Sequence, residues 1–190
     1  MELEDHRPEP IWTGVTSTSR DVVGPASAKI RVLQPWTVRG GTKVRIRIKW
    51  IENVSFLAET ESSHALIMDG APEAGGRNLG PRPMETVLAG TGGCTAFDVV
   101  TILRKARQQI EDCVVEIDAD RASTDPRVFT RIHFHFVIAG SGVDRKQVER
   151  AIHLSAQKYC SASIMLAKTA QITHDFEIRE VGQPTLSSQQ

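Results

Sequence analysis

Three side chains in this 190-residue chain could carry thiol chemistry, Cys94, Cys113 and Cys160, and their surroundings differ. Cys113 falls in phase with Val115, Ile117 and Ala119, one face of a period-two strand, where a thiol serves as a small hydrophobe. Cys94 directly follows Gly92-Gly93 in a stretch of helical spacing. Those glycines strip side chains from its approach, a clearance that a thiol meeting a substrate would use. Cys160 precedes Ser161-Ala162-Ser163 at an expected helix start. Backbone N–H groups and the positive dipole end there favour thiolate over thiol, below the usual value of about 8.5. Spacing alone leaves a structural reading open for both, with Cys160 filling the corner of a helix junction.

Other chemistries find less support. Neither cysteine belongs to a CxxC, and no second close-spaced Cys/His pair completes a zinc site. His133 and His135 point to one side of a strand, but two ligands without a third do not make a metal centre. His174 is in phase with Ile172 and Phe176 and reads as a core histidine with a hydrogen-bond partner. The glycines at 75–80 lack the GxxxxGK[ST] pattern of a phosphate loop. No metal and no cofactor is therefore expected.

The bulk composition narrows the function further. Forty per cent hydrophobic residues suffice for a core, and 23 basic residues balance 23 acidic ones. That balance gives no general pull toward nucleic acid or an anionic membrane. Lys43, Arg45, Arg47 and Lys49 form a basic strand face, read as solvated because no aromatic residue lies among them to stack a base. No uninterrupted apolar run approaches the ~18–20 residues that span a bilayer. The polar, proline-bearing MELEDHRPEP is unlike a secretory signal. An odd number of cysteines fits a reduced, cytoplasmic chain better than a disulfide scaffold.

The elements that must position the thiols can be read from periodicity. Residues 1–41, interrupted by Pro8, Pro10, Pro25 and Pro35, read as an N-terminal extension or arm; 42–180 read as the folded domain and 181–190 as a polar tail. Val44, Ile46, Ile48 and Trp50 alternate with the basic residues above, the mark of a half-buried strand, and Val54–Leu57 and His64–Met68 continue that sheet. After a Gly/Pro-rich loop, Pro83 suits a first helical position, and Val87, Leu88, Thr91, Cys94, Thr95, Val99 and Ile102 carry a helix to about Gln109. Two strands follow, with Val128, Thr130, Ile132, Phe134, Phe136 and Ile138 as one long stripe and Thr124-Asp125-Pro126 as the turn of a hairpin. Asp144 offers an N-cap for a helix to about Lys158, with Val148, Ala151, Ile152 and Ser155 facing in. A short helix, Ala162–Lys168, and a last strand, Gln171–Ile178, close the domain. The order predicts an α+β fold, mostly antiparallel, with helices on one face.

Two segments carry a resemblance. GGRNLGPRPMETVLAGTGGCTAFDVV at 75–100 resembles the central helix entry of OsmC/Ohr proteins, and HLSAQKYCSAS at 153–163 resembles the place of that family's second cysteine. ITHDFEI at 172–178 is similar to its closing strand, and the match is nearest to the YhfA-like subgroup. The resemblance implies an OsmC-like fold with a long central helix, built as an intertwined homodimer with two sites at the subunit interface. It further implies reduction of a small-molecule organic hydroperoxide. Cys94 would be the peroxidatic thiolate, Cys160 the resolving thiol, and an external dithiol would restore both. Such a disulfide requires α-carbons within about 7 Å. Peroxidase relatives use an acidic residue ten positions before the first cysteine, whereas Met84 stands there and Glu85, the candidate acid, stands ninth. One position on a helix turns a carboxylate by ~100°. No arginine in 1–50 matches the family's activating cation, and Arg77 and Arg82 are the nearest in sequence. The displaced acid keeps a rival in view, a non-catalytic dimer acting as redox sensor or small-molecule binder.

Overall fold

A computed structural model of the protein describes residues 44–181. The expected arm over 1–41, and all of the polar tail except Val181, lie outside the described residues. Strands β1 (Ile46–Glu52), β2 (Ser55–Thr60) and β3 (Ala65–Met68) form one antiparallel sheet in the order β1-β2-β3. Helix α1 (Pro83–Lys105) follows, then β4 (Gln109–Arg121) and β5 (Phe129–Ser141), α2 (Arg145–Leu154), α3 (Ser161–Leu166) and β6 (Gln171–Glu180). The second sheet has the order β4-β5-β6. Its β4–β5 hairpin is antiparallel, as the turn signal predicts. Strand β6 lies parallel to β5, because the two helices between them carry the chain back across the sheet, the connection that parallel pairing needs. The α+β architecture expected from periodicity is what forms.

The core lies between the β4-β5-β6 sheet and the helices. Ile132, Phe134, Phe136 and Ile138 of β5 are fully buried against Val99 and Leu103 of α1 and Val148, Ala151 and Ile152 of α2. The long stripe read on β5 is thus the floor of the core. By length and composition α1 could cross a bilayer, with a mean hydropathy of 1.5; counting uninterrupted apolar residues passes over it because glycines and threonines dilute the run. Its Thr91, Thr95, Val99 and Leu103 face is buried in the fold, the position of a core helix.

Helix termini follow local chemistry. Asp144 caps α2 by accepting from the Lys146 N–H at 2.8 Å, satisfying one of the unpaired donors of the first turn. Pro83 opens α1, and the Glu85 carboxylate reaches back to accept from the Arg82 N–H at 2.9 Å, satisfying a free donor at the helix start. One expectation shifts here. The helix predicted to reach Lys158 stops at Leu154 and continues as a π-helical turn, Ser155–Tyr159, closed by Cys160 N–H donating to the Ser155 carbonyl at 2.9 Å. A regular 3.6 period cannot reveal that wider turn.

The first sheet differs from the second. Ile46, Ile48 and Trp50 share one face of β1, as predicted, yet they are 56 %, 53 % and 64 % exposed. Ser55, Ala58 and Asp69 supply what burial this sheet has within the described residues. On the opposite face Arg45 and Lys49 are exposed and the half-buried Arg47 pairs with Glu59 at 2.8 Å, while Lys43 lies outside the described residues.

Candidate active site

The sulfurs of Cys94 and Cys160 and a carboxylate oxygen of Asp98 all lie within 4.8 Å of one another. Three local devices bring them together. On α1, Cys94 and Asp98 stand four residues apart and so project from the same side, one turn above the other. The π-helical turn then sets the end of the α2 segment so that Cys160 becomes the N-cap of α3. There its Sγ accepts from Ser163 N–H at 3.4 Å and Ser163 Oγ–H at 3.2 Å. The third device is a hydroxyl bridge: Ser155, at the start of the π-turn, donates to Asp98 Oδ2 at 3.1 Å and meets Thr95 Oγ1 at 2.9 Å. Thr95 and Ser155 are buried, so this bridge locks α1 to the π-turn beneath the thiols.

The two thiols are free and unequal, Cys160 fully buried and Cys94 half-buried. Burial pushes the Cys94 thiol above its ordinary value, reinforced by its contact with Cys160 and by the Asp98 carboxylate. A backbone N–H of Ala162 pulls the other way. Among the described residues, no cation is one of the influences on it. Cys113 has the structural place expected, packed against the core edge from β4, with burial pushing its thiol up to about 11.

The glycines around Cys94 divide by role. A Cβ on Gly92 would meet the Ile117 Cδ1 at 2.6 Å, so its absence lets α1 settle on β4. Gly90 and Gly93 face open space, and with the 72 % exposed Phe97 they leave the approach to Cys94 uncovered. Beside it a cavity of about 520 Å³ runs between α1 and α2, lined by Phe97, Asp98, Ile102, Arg150, Leu154 and Tyr159 among others.

The third predicted site residue stands elsewhere. Glu85 accepts from the Arg82 N–H at 2.9 Å and from its guanidinium at 2.8 Å, which holds its carboxyl below the usual range. Nine residues of α1 separate it from Cys94, roughly 13 Å of helical rise. The chain therefore brings Cys94 and Cys160 together without Glu85. The two arginines nearest in sequence are also engaged, Arg82 with Glu85 and Arg77 with Glu52. His133 and His135 share Asp175 on the polar face of the second sheet, at 3.3 and 2.5 Å. His174 corrects an expectation: its ring stacks on Phe134 and Phe136 at 5.5 and 6.4 Å, but its buried Nε2 has no hydrogen-bond partner among the described residues. Burial accordingly lowers its pKa.

Residues 75–175, which contain both thiols and the helix between them, match the family described as OsmC-like protein. The chain is 44 % identical over 135 residues to Protein YhfA of Escherichia coli strain K12, covering 71 % of this chain and 98 % of that one. The chain belongs to the OsmC-like family. Solved structures agree on the fold of this OsmC-like protein. A hypothetical protein from Aquifex aeolicus is 25 % identical with a TM-score of 0.66, covering 74 % of this chain and 98 % of that one. An organic hydroperoxide resistance protein OsmC from Legionella pneumophila is 15 % identical with a TM-score of 0.56, covering 71 % and 96 %.

Sequence reading of this OsmC-like protein passed over Asp98. The signal was present as Cys-x-x-x-Asp within an otherwise apolar helical run, TAFDVVTIL. An acid there has to find a polar neighbour. Ser155 was read as facing in, and the structure adds what it faces.

Proposed function

We propose that this OsmC-like protein is a cysteine-based peroxidase for small organic hydroperoxides, acting as a cytoplasmic homodimer in defence against oxidants. The observation that carries the reading is the contact of Cys94 with Cys160, two thiols far apart in the chain and held by separate helices. A structural cysteine needs no such neighbour. The Legionella protein named for organic hydroperoxide resistance shares the fold, and the reading itself rests on the thiols.

The chemistry balances in three steps. Cys94 Sγ attacks the outer oxygen of ROOH, the O–O bond breaks, and the thiol proton ends on the alkoxide to give ROH. Asp98 opposes a resting thiolate and also offers a nearby place for that proton while the S–O bond forms. The product is a Cys94 sulfenic acid. Cys160 then attacks it, releasing water and leaving a Cys94–Cys160 disulfide. An external dithiol reduces the disulfide by exchange and is itself oxidised.

The homodimer is supported by what one chain leaves uncovered. Ile46, Ile48 and Trp50 form an apolar strip on β1, and α1 is open at Gly90, Gly93 and Phe97. Contiguous exposed apolar surface of this kind marks an interaction face. A second copy would bury both and close the approach to Cys94.

A second reading is favoured by the Cys94 environment. Its thiol is pushed up rather than down, and no cation among the described residues lowers it, as suits a non-catalytic redox sensor or small-molecule binder. Stoichiometric cumene hydroperoxide separates the two. Rapid loss of two thiols, with a Cys94–Cys160 disulfide in non-reducing peptide maps, is the expected result. Three thiols surviving excess peroxide would overturn the peroxidase and leave the binder.

A further inference from the structure

We propose that Cys94, Asp98 and Cys160 together form a binding site for a borderline-soft divalent cation of the zinc class. Two sulfur donors and one carboxylate oxygen converge from two helices, each within 4.8 Å of the others. Tetrahedral zinc with Zn–S of about 2.3 Å and Zn–O of about 2.1 Å needs donors about 3.6–3.8 Å apart. The observed bound lies about an ångström beyond that, within reach of side-chain rotation. Thiolate and carboxylate donors together select zinc, cadmium or cobalt over magnesium or calcium, which want oxygen alone.

The support around the donors is the kind that metal ligands have. Ser155 holds Asp98 through Oδ2, which leaves Oδ1 turned free of that bond, and Thr95 holds Ser155 in turn. Ser163 orients Cys160 Sγ with two hydrogen bonds. Outer groups of this sort fix ligand direction and affect affinity by about 10–100-fold. Three protein ligands leave a fourth position, and the cavity that Asp98 lines with Phe97 and Tyr159 opens beside the cluster. The half-buried Cys94 and Asp98 give the ion an entry path. The site shares its thiols with the peroxidase reading and does not depend on it; an ion held there would cap both sulfurs and shield them from oxidation.

The test titrates Co²⁺ into the full chain, reduced with a phosphine and stripped with chelator under nitrogen. A thiolate-to-cobalt charge-transfer band saturating at one ion per chain is expected, with slower alkylation of Cys94. Cys94→Ser and Cys160→Ser should abolish the band, and Cys113→Ser should leave it intact. The isosteric Asp98→Asn should weaken binding by at least about tenfold, and Ser155→Ala by about tenfold. Circular dichroism of each variant shows that it is folded, and Cys94→Ser, at a half-buried position, keeps the test alive if Cys160→Ser does not fold. Absence of the band, its survival in folded Cys94→Ser, or unchanged affinity in Asp98→Asn would each overturn the site. Peroxide turnover is measured separately on the metal-free protein, so either reading can fail alone.

Discussion

The two sheets carry the same kind of alternating pattern and come to opposite ends. In β5, Ile132, Phe134, Phe136 and Ile138 are fully buried by helices of their own chain. In β1, Ile46, Ile48 and Trp50 alternate just as cleanly and remain more than half exposed. Periodicity says which residues share a face. It does not say what covers that face. The second sheet is flanked in sequence by the helices that cap it, whereas among the described residues the first has only a loop and then α1, whose buried side is committed to the other sheet.

The sharpest test of this contrast removes one apolar side chain from each sheet. Phe134→Ala should cost about 3–5 kcal/mol in urea unfolding, the loss of a fully buried aromatic plus its cavity. Ile48→Glu should behave otherwise, leaving each chain folded and halving the mass seen by light scattering. An unfolded Ile48→Glu chain would mean that β1 belongs to its own core. A wild-type protein already monomeric would remove the shared-site arrangement at once.

How far the molecule could be read from its sequence follows the same division. The β5 stripe, the Asp144 cap and the place of Cys160 before a helix are local signals, carried by period or by a residue type within a few positions. Asp98 and Ser155 were harder because their meaning lies in each other, brought together by a π-turn that no periodicity announces. His174 shows the reverse error. Its phase with Ile172 and Phe176 placed it inside, but phase carries no information about a partner for Nε2. Glu85 looked like a displaced catalytic acid and is held in the cap that starts α1.

The first sheet has a substitute for a core, and its loss is the next effect in size. Asp69, just past β3, is fully buried. It accepts from Ser55 Oγ–H at 2.7 Å and from the N–H groups of Gly70, Arg77 and Leu79 at 2.8, 2.9 and 3.0 Å. Those donors, the Leu79 N–H foremost, hold its carboxyl down at about 2 against an ordinary 3.8. A depressed folded value means stability that is present above pH ~4 and lost as pH falls toward 2. Asp69→Asn should therefore lower the melting temperature by several degrees at neutral pH and erase most of the wild type's decline between pH 4 and 2. If the variant kept the full acid decline, the hub would not be what orders the turn that leads into α1.

On the second sheet the matching test falls on the face turned away from the core, and the expected effect is the smallest. His135 Nδ1 meets Asp175 Oδ1 at 2.5 Å across the β5–β6 pair. This hydrogen bond raises the pKa of His135 and lowers that of Asp175. A raised histidine contributes fully below its unfolded value near 6.5 and loses that contribution as pH climbs through the folded one. A lowered aspartate contributes above 3.8 and loses it on acidification. The pair thus works best between about pH 4 and 6.5, and His135→Gln should flatten a slight fall in melting temperature as pH rises through 7. Partly exposed ion pairs add little, so the change should be far smaller than that of Phe134→Ala one residue away. A large loss would mean that this polar face is covered by something beyond the residues that pack on it here.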